Sequence, residues 1–298
     1  MSGNMNRIFL WCVPRTCSTV LLKCLSFVDG IQVVNEPYNC AFHVGPERKK
    51  SDWPDLNNPM DKRLFETYNH ASNDDDIQGF DDKHSTYGWI RDQILEASYR
   101  DKNILVCKDM AHYLDSRYDE LPQGFKYSFL IRHPAKVHLS WKQHLENFFP
   151  SLTNDIQSLP EYIFPAGRGF KELYELAMYV EKHLGQDPVI IDSDDLLADP
   201  EGILSAYCRE MGIPYSRELL SWDSSDSVTK TWITPKILMN ANKVVRFFNK
   251  AFRSSGFEQP SNAEPMNESL PEDVRQCVEA SLSYYEKLRE KRIKPAPK

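Results

Sequence analysis

The sequence predicts an α/β protein, a parallel β-sheet flanked by helices on both faces. Three observations carry this. Short runs rich in β-branched and aromatic residues recur without polar alternation, as strands buried on both faces require. Helical periodicity fills most of the gaps between them. The first run feeds a tight polar loop and then a helix, which puts that loop at the carboxyl edge of the sheet.

Taken in order, Arg7-Ile8-Phe9-Leu10-Trp11-Cys12-Val13 reads as the first strand, with 8–13 as its apolar body. Pro14-Arg15-Thr16-Cys17-Ser18-Thr19 follows as the loop, and Val20-Leu21-Leu22-Lys23 opens a helix. Further strands are expected at 31–34, 104–107, 127–131 and 189–191. Helices are expected over 135–145 and 170–184; Pro134 suits the first turn, where its missing N–H costs nothing. Asp199-Pro200 reads as a cap followed by proline at the first helical position, and Gly212 ends that helix. The last helix covers about 272–292, with Val274, Val278, Leu282, Tyr285 and Leu288 on one stripe.

Two stretches break the rhythm. Residues 43–89 are polar and contain Asn73-Asp74-Asp75-Asp76 and Asp81-Asp82. Residues 221–267 are mixed, with Trp232, Arg246, Phe247, Phe248 and Arg253-Ser254-Ser255-Gly256-Phe257. Long irregular stretches in compact domains serve as functional lids or as solvated insertions, and both readings stay open. The acidic run is most simply a solvated loop. Without an internal repeat or an obvious linker, residues 1–298 read as one domain carrying these two insertions.

The first loop holds an arginine, hydroxyls at Thr16, Ser18 and Thr19, and backbone amides at a helix N-terminus. The helix dipole and its unpaired amides favour an anion there, above all a phosphate. The pattern G-x-x-x-x-G-K-[ST] of nucleoside triphosphatases is missing, as is G-x-G-x-x-G. The loop therefore suits a phosphate-like group and not the standard triphosphate. An ordinary capped helix is the alternative, since Thr16 and Ser18 are good N-cap types.

The net charge of −7 and a pI near 5.7 argue against general nucleic-acid affinity, so an anionic substrate must meet a local basic patch. Cys12, Cys17, Cys24, Cys40, Cys107, Cys208 and Cys277 show no metal-binding spacing and read as reduced thiols of a cytoplasmic protein. No run of eighteen apolar residues and no signal-peptide pattern occurs, so no membrane is expected.

The next strong element is Phe129-Leu130-Ile131-Arg132-His133-Pro134, followed by Lys136, Ser140 and Trp141. An arginine at a strand's carboxyl end can fork two N–H donors onto phosphate oxygens. An ordinary surface ion pair is the alternative for this segment by itself.

Together these segments resemble the sulfotransferase family that uses 3'-phosphoadenosine 5'-phosphosulfate. Pro14-Arg15-Thr16-Cys17-Ser18-Thr19 is similar to that family's 5'-phosphosulfate loop, P-[KR]-[ST]-G-[ST]-[ST]. Ile131-Arg132-His133-Pro134 with Ser140 resembles its 3'-phosphate motif, an arginine followed eight residues later by a serine. Val189-Ile190-Ile191-Asp192-Ser193-Asp194-Asp195-Leu196, Asp199-Pro200 and Met211-Gly212-Ile213-Pro214 resemble the "Y-E-D-L … D-P … L-G-I" segment. The blocks occur in family order over about two-thirds of the chain.

The resemblance implies a P-loop NTPase-like three-layer sandwich and sulfuryl transfer to a hydroxyl or amine of a small-molecule acceptor. Adenosine 3',5'-bisphosphate is then the product, and no metal is required. It assigns Arg15 to the leaving phosphate and sulfuryl oxygens, and Thr16, Cys17, Ser18 and Thr19 to the 5'-phosphate. Arg132 and Ser140 would hold the 3'-phosphate, and Lys108 in Cys107-Lys108-Asp109-Met110 resembles the family lysine near the sulfate. Glu36 in Val33-Val34-Asn35-Glu36-Pro37 resembles the glutamate base of carbohydrate-type members, with His112 and Asp109 as nearby substitutes. An exposed glutamate titrates near 4.3, so Glu36 would need partial burial to act well as a base.

Departures from the family pattern place this chain nearer bacterial-like or carbohydrate-type members than phenol and steroid enzymes. Cys17 occupies the usual glycine of the loop, Ser193 a tyrosine position, and the carboxyl-terminal R-K-G-x-x-G is absent. Arg253-Ser254-Ser255-Gly256 or Lys230-Thr231-Trp232 are the candidates to replace it. His133 reads as a helix-opening residue. Trp11, Trp89 and Trp141 read as core, with Trp232 left open between core and cofactor stacking. The competing functions are a small-molecule kinase and a nucleotide-binding protein that kept the fold and lost the chemistry.

Overall fold

A computed structural model describes residues 5–69, 78–148, 155–258 and 269–295 of the chain. The run Asn73-Asp74-Asp75-Asp76 lies outside the described residues. The strands are β1 (Asn6–Cys12), β2 (Ile31–Asn35), β3 (Gly79–Phe80), β4 (Ile104–Met110), β5 (Phe125–Ile131), β6 (Val189–Asp192) and β7 (Thr234–Pro235). Five form one all-parallel sheet in the order β2-β4-β1-β5-β6, so β1 and its loop are central. The short β3 and β7 pair with each other, apart from that sheet. Every strand expected from the sequence is there, with boundaries moved by three residues or fewer.

The helices are α1 (Ser18–Leu25), α2 (Pro37–His43), α3 (Pro59–Asn69), α4 (Tyr87–Ile90), α5 (Pro134–Phe148), α6 (Phe170–His183), α7 (Ser193–Ala198), α8 (Pro200–Met211), α9 (Lys236–Val245), α10 (Asn249–Phe252) and α11 (Glu272–Glu290). They cover both faces of the sheet, which makes the three-layer sandwich that parallel strands demand. Successive β1 residues point to opposite faces, and both faces are fully buried. Phe9, Trp11 and Val13 join Leu173, Leu176 and Val180 of α6 and Leu288 of α11. Ile8, Leu10 and Cys12 join Leu21, Leu22 and Leu25 of α1 and Ile203, Leu204 and Tyr207 of α8. Full burial of each such apolar side chain contributes roughly 1.5–3 kcal/mol. Trp11 and Trp141 are core, as expected, and so is Trp232, whose indole N–H donates to Ser26 Oγ at 2.8 Å. Trp89 is only half-buried.

The two irregular stretches hold more order than the sequence suggests. Helix α3 from the first packs against α9 from the second, and β3 pairs with β7. They therefore build one shared cap. Ile233 closes the outer edge of β2: its amide donates to Val33 O at 2.9 Å, and its carbonyl accepts from Asn35 N at 2.9 Å. That edge would otherwise present unpaired backbone groups.

Candidate active site at the carboxyl edge of the sheet

Between β1 and α1 the backbone turns left-handed twice, at Arg15 (φ 68°) and Cys17 (φ 60°). Glycine adopts this region without penalty, whereas a residue with a Cβ loses about 1–2 kcal/mol. Cys17 thus holds a backbone conformation that glycine adopts without strain. It is also the N-cap of α1, and no side chain caps the helix. Thr16 instead donates from Oγ1 to Val13 O at 2.8 Å, which braces the loop. The amides of Val20 and Leu21 both donate to Cys17 O, at 3.0 and 3.1 Å. The capped-helix alternative is therefore not what forms, and the amides at the head of α1 face outward without a side-chain acceptor.

Ser193, at the head of α7, ties this loop to the neighbouring strand. Its buried hydroxyl lies 2.6 Å from Thr16 O and 2.8 Å from Ile131 O, sharing one proton between them. Arg132 follows Ile131 directly, and its Nη1 donates to Arg15 O at 3.1 Å. Arg15 in turn donates from Nε to Ser140 Oγ at 3.0 Å. The two arginines and the serine thus meet in one crevice. On α5, Lys136, Ser140 and His144 are spaced four apart and share one face. Asp194 lies 3.7 Å from Arg132 Nε and 3.0 Å from Lys136 Nζ. Burial lowers the pKa of Arg15, opposed by the Cys17 thiol and reinforced by Arg132. Burial, with Arg15 nearby, holds His144 down to about 4. Asp194 offsets part of the positive charge that Arg15, Arg132 and Lys136 bring to the crevice, and a bound anion would offset the rest.

Glu36 directly follows β2, on the other side of β1. Lys108 lies within β4, which runs on to Met110 rather than ending at Cys107 as the sequence suggested. The chain reverses at Glu36 (φ 51°), the N-cap of α2, where Pro37 fixes the first helical position. Its amide donates to Lys108 O at 2.7 Å, and Lys108 Nζ bonds its Oε1. Lys108 is 0% and Glu36 4% exposed. Burial lowers the Lys108 pKa, but the Glu36 carboxylate outweighs it and the net shift is upward. Cys12 lies between this pair and the loop; burial pushes its thiol up to about 11 against the pull of Lys108 and a bond from Ser18. Glu36 is thus buried, as a base needs, and already ion-paired.

The substitute bases have other tasks. Asp109 accepts from Tyr38 N at 2.7 Å and Met110 N at 2.8 Å, while burial and then Glu36 raise its pKa well above the usual carboxylate range. His112 packs against Tyr113 with ring centroids 4.2 Å apart, and burial holds it down to about 3. His133 precedes α5 and accepts from Ala135 N at Nδ1, 3.3 Å away.

The second irregular stretch reaches the site through residues the sequence did not single out for it. Lys108 Nζ lies 5.6 Å from the Phe248 ring centroid, and the Phe247 ring stacks 4.0 Å from His144. Lys250 adds positive charge near Cys17. By contrast, the candidate replacements for R-K-G-x-x-G gather at the far end of α1. There Lys23 Nζ donates to Phe252 O and Ser254 O at 2.6 and 2.8 Å. Arg253 lines a cavity of about 330 Å³ with Ser224 and Asp226, and Lys230 one of about 90 Å³ with Trp232. Neither cavity includes a residue of the first loop.

Comparison with known proteins gives a family match over part of the chain. Residues 176–292 match the family model described as a sulfotransferase domain. The curated "Branched-chain-amino-acid aminotransferase-like protein 2" of Arabidopsis thaliana is 25% identical over 264 residues, 86% of this chain and 37% of that protein. The chain spans well under half the length of the curated relatives it matches. Among solved structures, the sulfotransferase domain of the Synechococcus PCC 7002 olefin synthase is 20% identical, covering 93% of this chain and 94% of that one at a TM-score of 0.46. A sulfotransferase from Alicyclobacillus acidocaldarius is 14% identical, covering 85% and 97%, at a TM-score of 0.41. The match over residues 176–292 is thus to the family that the chain's ordered motifs resemble.

Proposed function

We propose that the chain moves a sulfuryl group from 3'-phosphoadenosine 5'-phosphosulfate to a hydroxyl or amine of a small-molecule acceptor. The observation that carries this reading is the pair of basic groups in one crevice, Arg15 bonded to Ser140 and Arg132 bonded to the Arg15 carbonyl. A doubly phosphorylated nucleotide needs such a pair, one member for each end. The uncapped amides of α1 suit its 5'-phosphate, with Thr16, Cys17, Ser18 and Thr19 as donors. Arg132 and Ser140 take the 3'-phosphate. No step in this scheme calls on a metal.

In the transfer, the acceptor oxygen or nitrogen attacks sulfur in line. The bond from sulfur to the bridging oxygen breaks, and that oxygen leaves on the 5'-phosphate with the developing charge. Arg15 and Lys108 meet that charge. Glu36 takes the acceptor's proton. Lys108 pairs with Glu36, and donor binding gives Lys108 a second anion to approach.

Transfer of labelled sulfate from the donor to a panel of small alcohols and amines tests the reading. Label should appear in at least one acceptor with the intact chain and be lost in Arg15→Ala. Transfer of labelled phosphate from ATP in place of sulfate would assign the fold to a kinase and contradict it.

A further inference from the structure

The carboxamide of Asn35 is 0% exposed, and neither its Oδ1 nor its Nδ2 has a hydrogen-bond partner. Among the described residues it is the one side chain with two buried polar atoms left so. Removing both polar atoms of an amide from water without a bond costs stability, so a folded chain keeps such a group only where it has a use. The backbone of Asn35 is fully engaged. Its amide donates to Ile233 O at 2.9 Å, and its carbonyl accepts from Thr234 Oγ1 at 3.0 Å. The backbone is therefore held in place, and the sheet sets the direction in which the side chain leaves it.

Asn35 is the register partner of Lys108 on the adjacent parallel strand. Partners in a parallel pair point to the same face, with strands about 4.8 Å apart. The residues two before them, Val33 and Val106, both lie in the core on the α1 side, which fixes that face. Asn35 thus projects from the same face of the sheet as Lys108 and directly precedes Glu36, the partner of that lysine. No part of the mechanism above uses it.

We infer that Asn35 is a ligand of the transferring sulfuryl group, its Nδ2 donating to a sulfuryl oxygen alongside Lys108. This rests on the sulfotransferase reading and adds to it a neutral donor at the acceptor side of the sulfur. An amide adds direction without a further charge, so it can orient the sulfuryl oxygens while the ion pair beside it stays balanced. The Oδ1 is left to accept from an incoming acceptor hydroxyl or amine.

The test needs no acceptor. Titration calorimetry compares the phosphosulfate donor with adenosine 3',5'-bisphosphate, which lacks the sulfuryl group. In Asn35→Leu the donor should bind about tenfold or more weakly, with the bisphosphate unchanged. The melting temperature should hold or rise, because an unpartnered amide has given way to an apolar group of similar size. Asn35→Asp, equal in size and lacking the N–H donor, should lower the ratio of the two affinities as well, and serves if the leucine variant does not fold. An unchanged ratio in the folded variants would overturn the inference. So would a marked loss of stability in both, which would mean that the amide serves the fold. If the unsubstituted chain binds neither nucleotide, the donor reading itself fails, a result distinct from both.

Discussion

Among single residues, the proposed chemistry rests most heavily on Glu36. It combines a left-handed backbone, near-complete burial and a bonded lysine, a combination that fixes its carboxylate in one place. Glu36→Gln should keep binding of adenosine 3',5'-bisphosphate and lower turnover at least a hundredfold, the usual contribution of a positioned base. The same change strands the Lys108 charge, at a cost of about 3–5 kcal/mol in stability. Pairing it with Lys108→Met should restore most of the stability and none of the activity, as denaturant melts and turnover would show. Turnover unchanged in the single variant would remove Glu36 from the mechanism. The positions of Arg15 and Arg132 at the carboxyl edge were legible in the sequence, because strand ends and prolines mark that edge, whereas Glu36 was singled out by family resemblance. It could not identify Asn35, since an unpartnered amide differs from a bonded one only in three dimensions.

Among the elements, the joint between the first loop and β5 matters most. The Ser193 hydroxyl spans the carbonyls of Thr16 and Ile131. One side chain therefore sets the spacing between the two anion clamps. Ser193→Ala should cost about 1–3 kcal/mol by leaving buried carbonyls unpaired. Affinity for the bisphosphate should fall by more than affinity for adenosine 5'-phosphate, and Ser193→Thr should restore part of it. Equal losses for the two nucleotides would show that the joint does not control the spacing. Strands were legible because parallel strands are apolar on both faces. Helix α3 was not, because it is a short helix of about three turns set inside a polar stretch, and the two-residue β3 and β7 are too short for any periodicity. Helix α9 does carry apolar residues at helical spacing but starts after Pro235, with no side-chain cap to announce it.

Across the whole molecule, the cap formed by α3, α9, β3 and β7 unites two stretches far apart in sequence, a union that no local pattern could reveal. The fold also has a pH limit. His138, whose Nε2 lies 2.9 Å from Ser281 Oγ, is held by burial down to about 3, as is His112, against 6.5 in the unfolded chain. The unfolded chain then takes up protons first as pH falls. Stability from these groups is complete above pH 6.5 and is lost progressively towards pH 3. Each should contribute a loss of about 2 kcal/mol by pH 5. Denaturant melts at pH 7.5 and 5.0 check this, with His138→Gln losing less over that interval; an interval unaffected by that change would contradict it.

The two-clamp crevice is open to one direct measurement, calorimetric titration of the chain with adenosine 3',5'-bisphosphate, adenosine 5'-phosphate and ATP. The bisphosphate should bind at least tenfold more tightly than either, and Arg132→Ala should reduce it to the level of the monophosphate. Tighter binding of ATP, or equal binding of the bisphosphate and monophosphate, would contradict a site built around two separate phosphates.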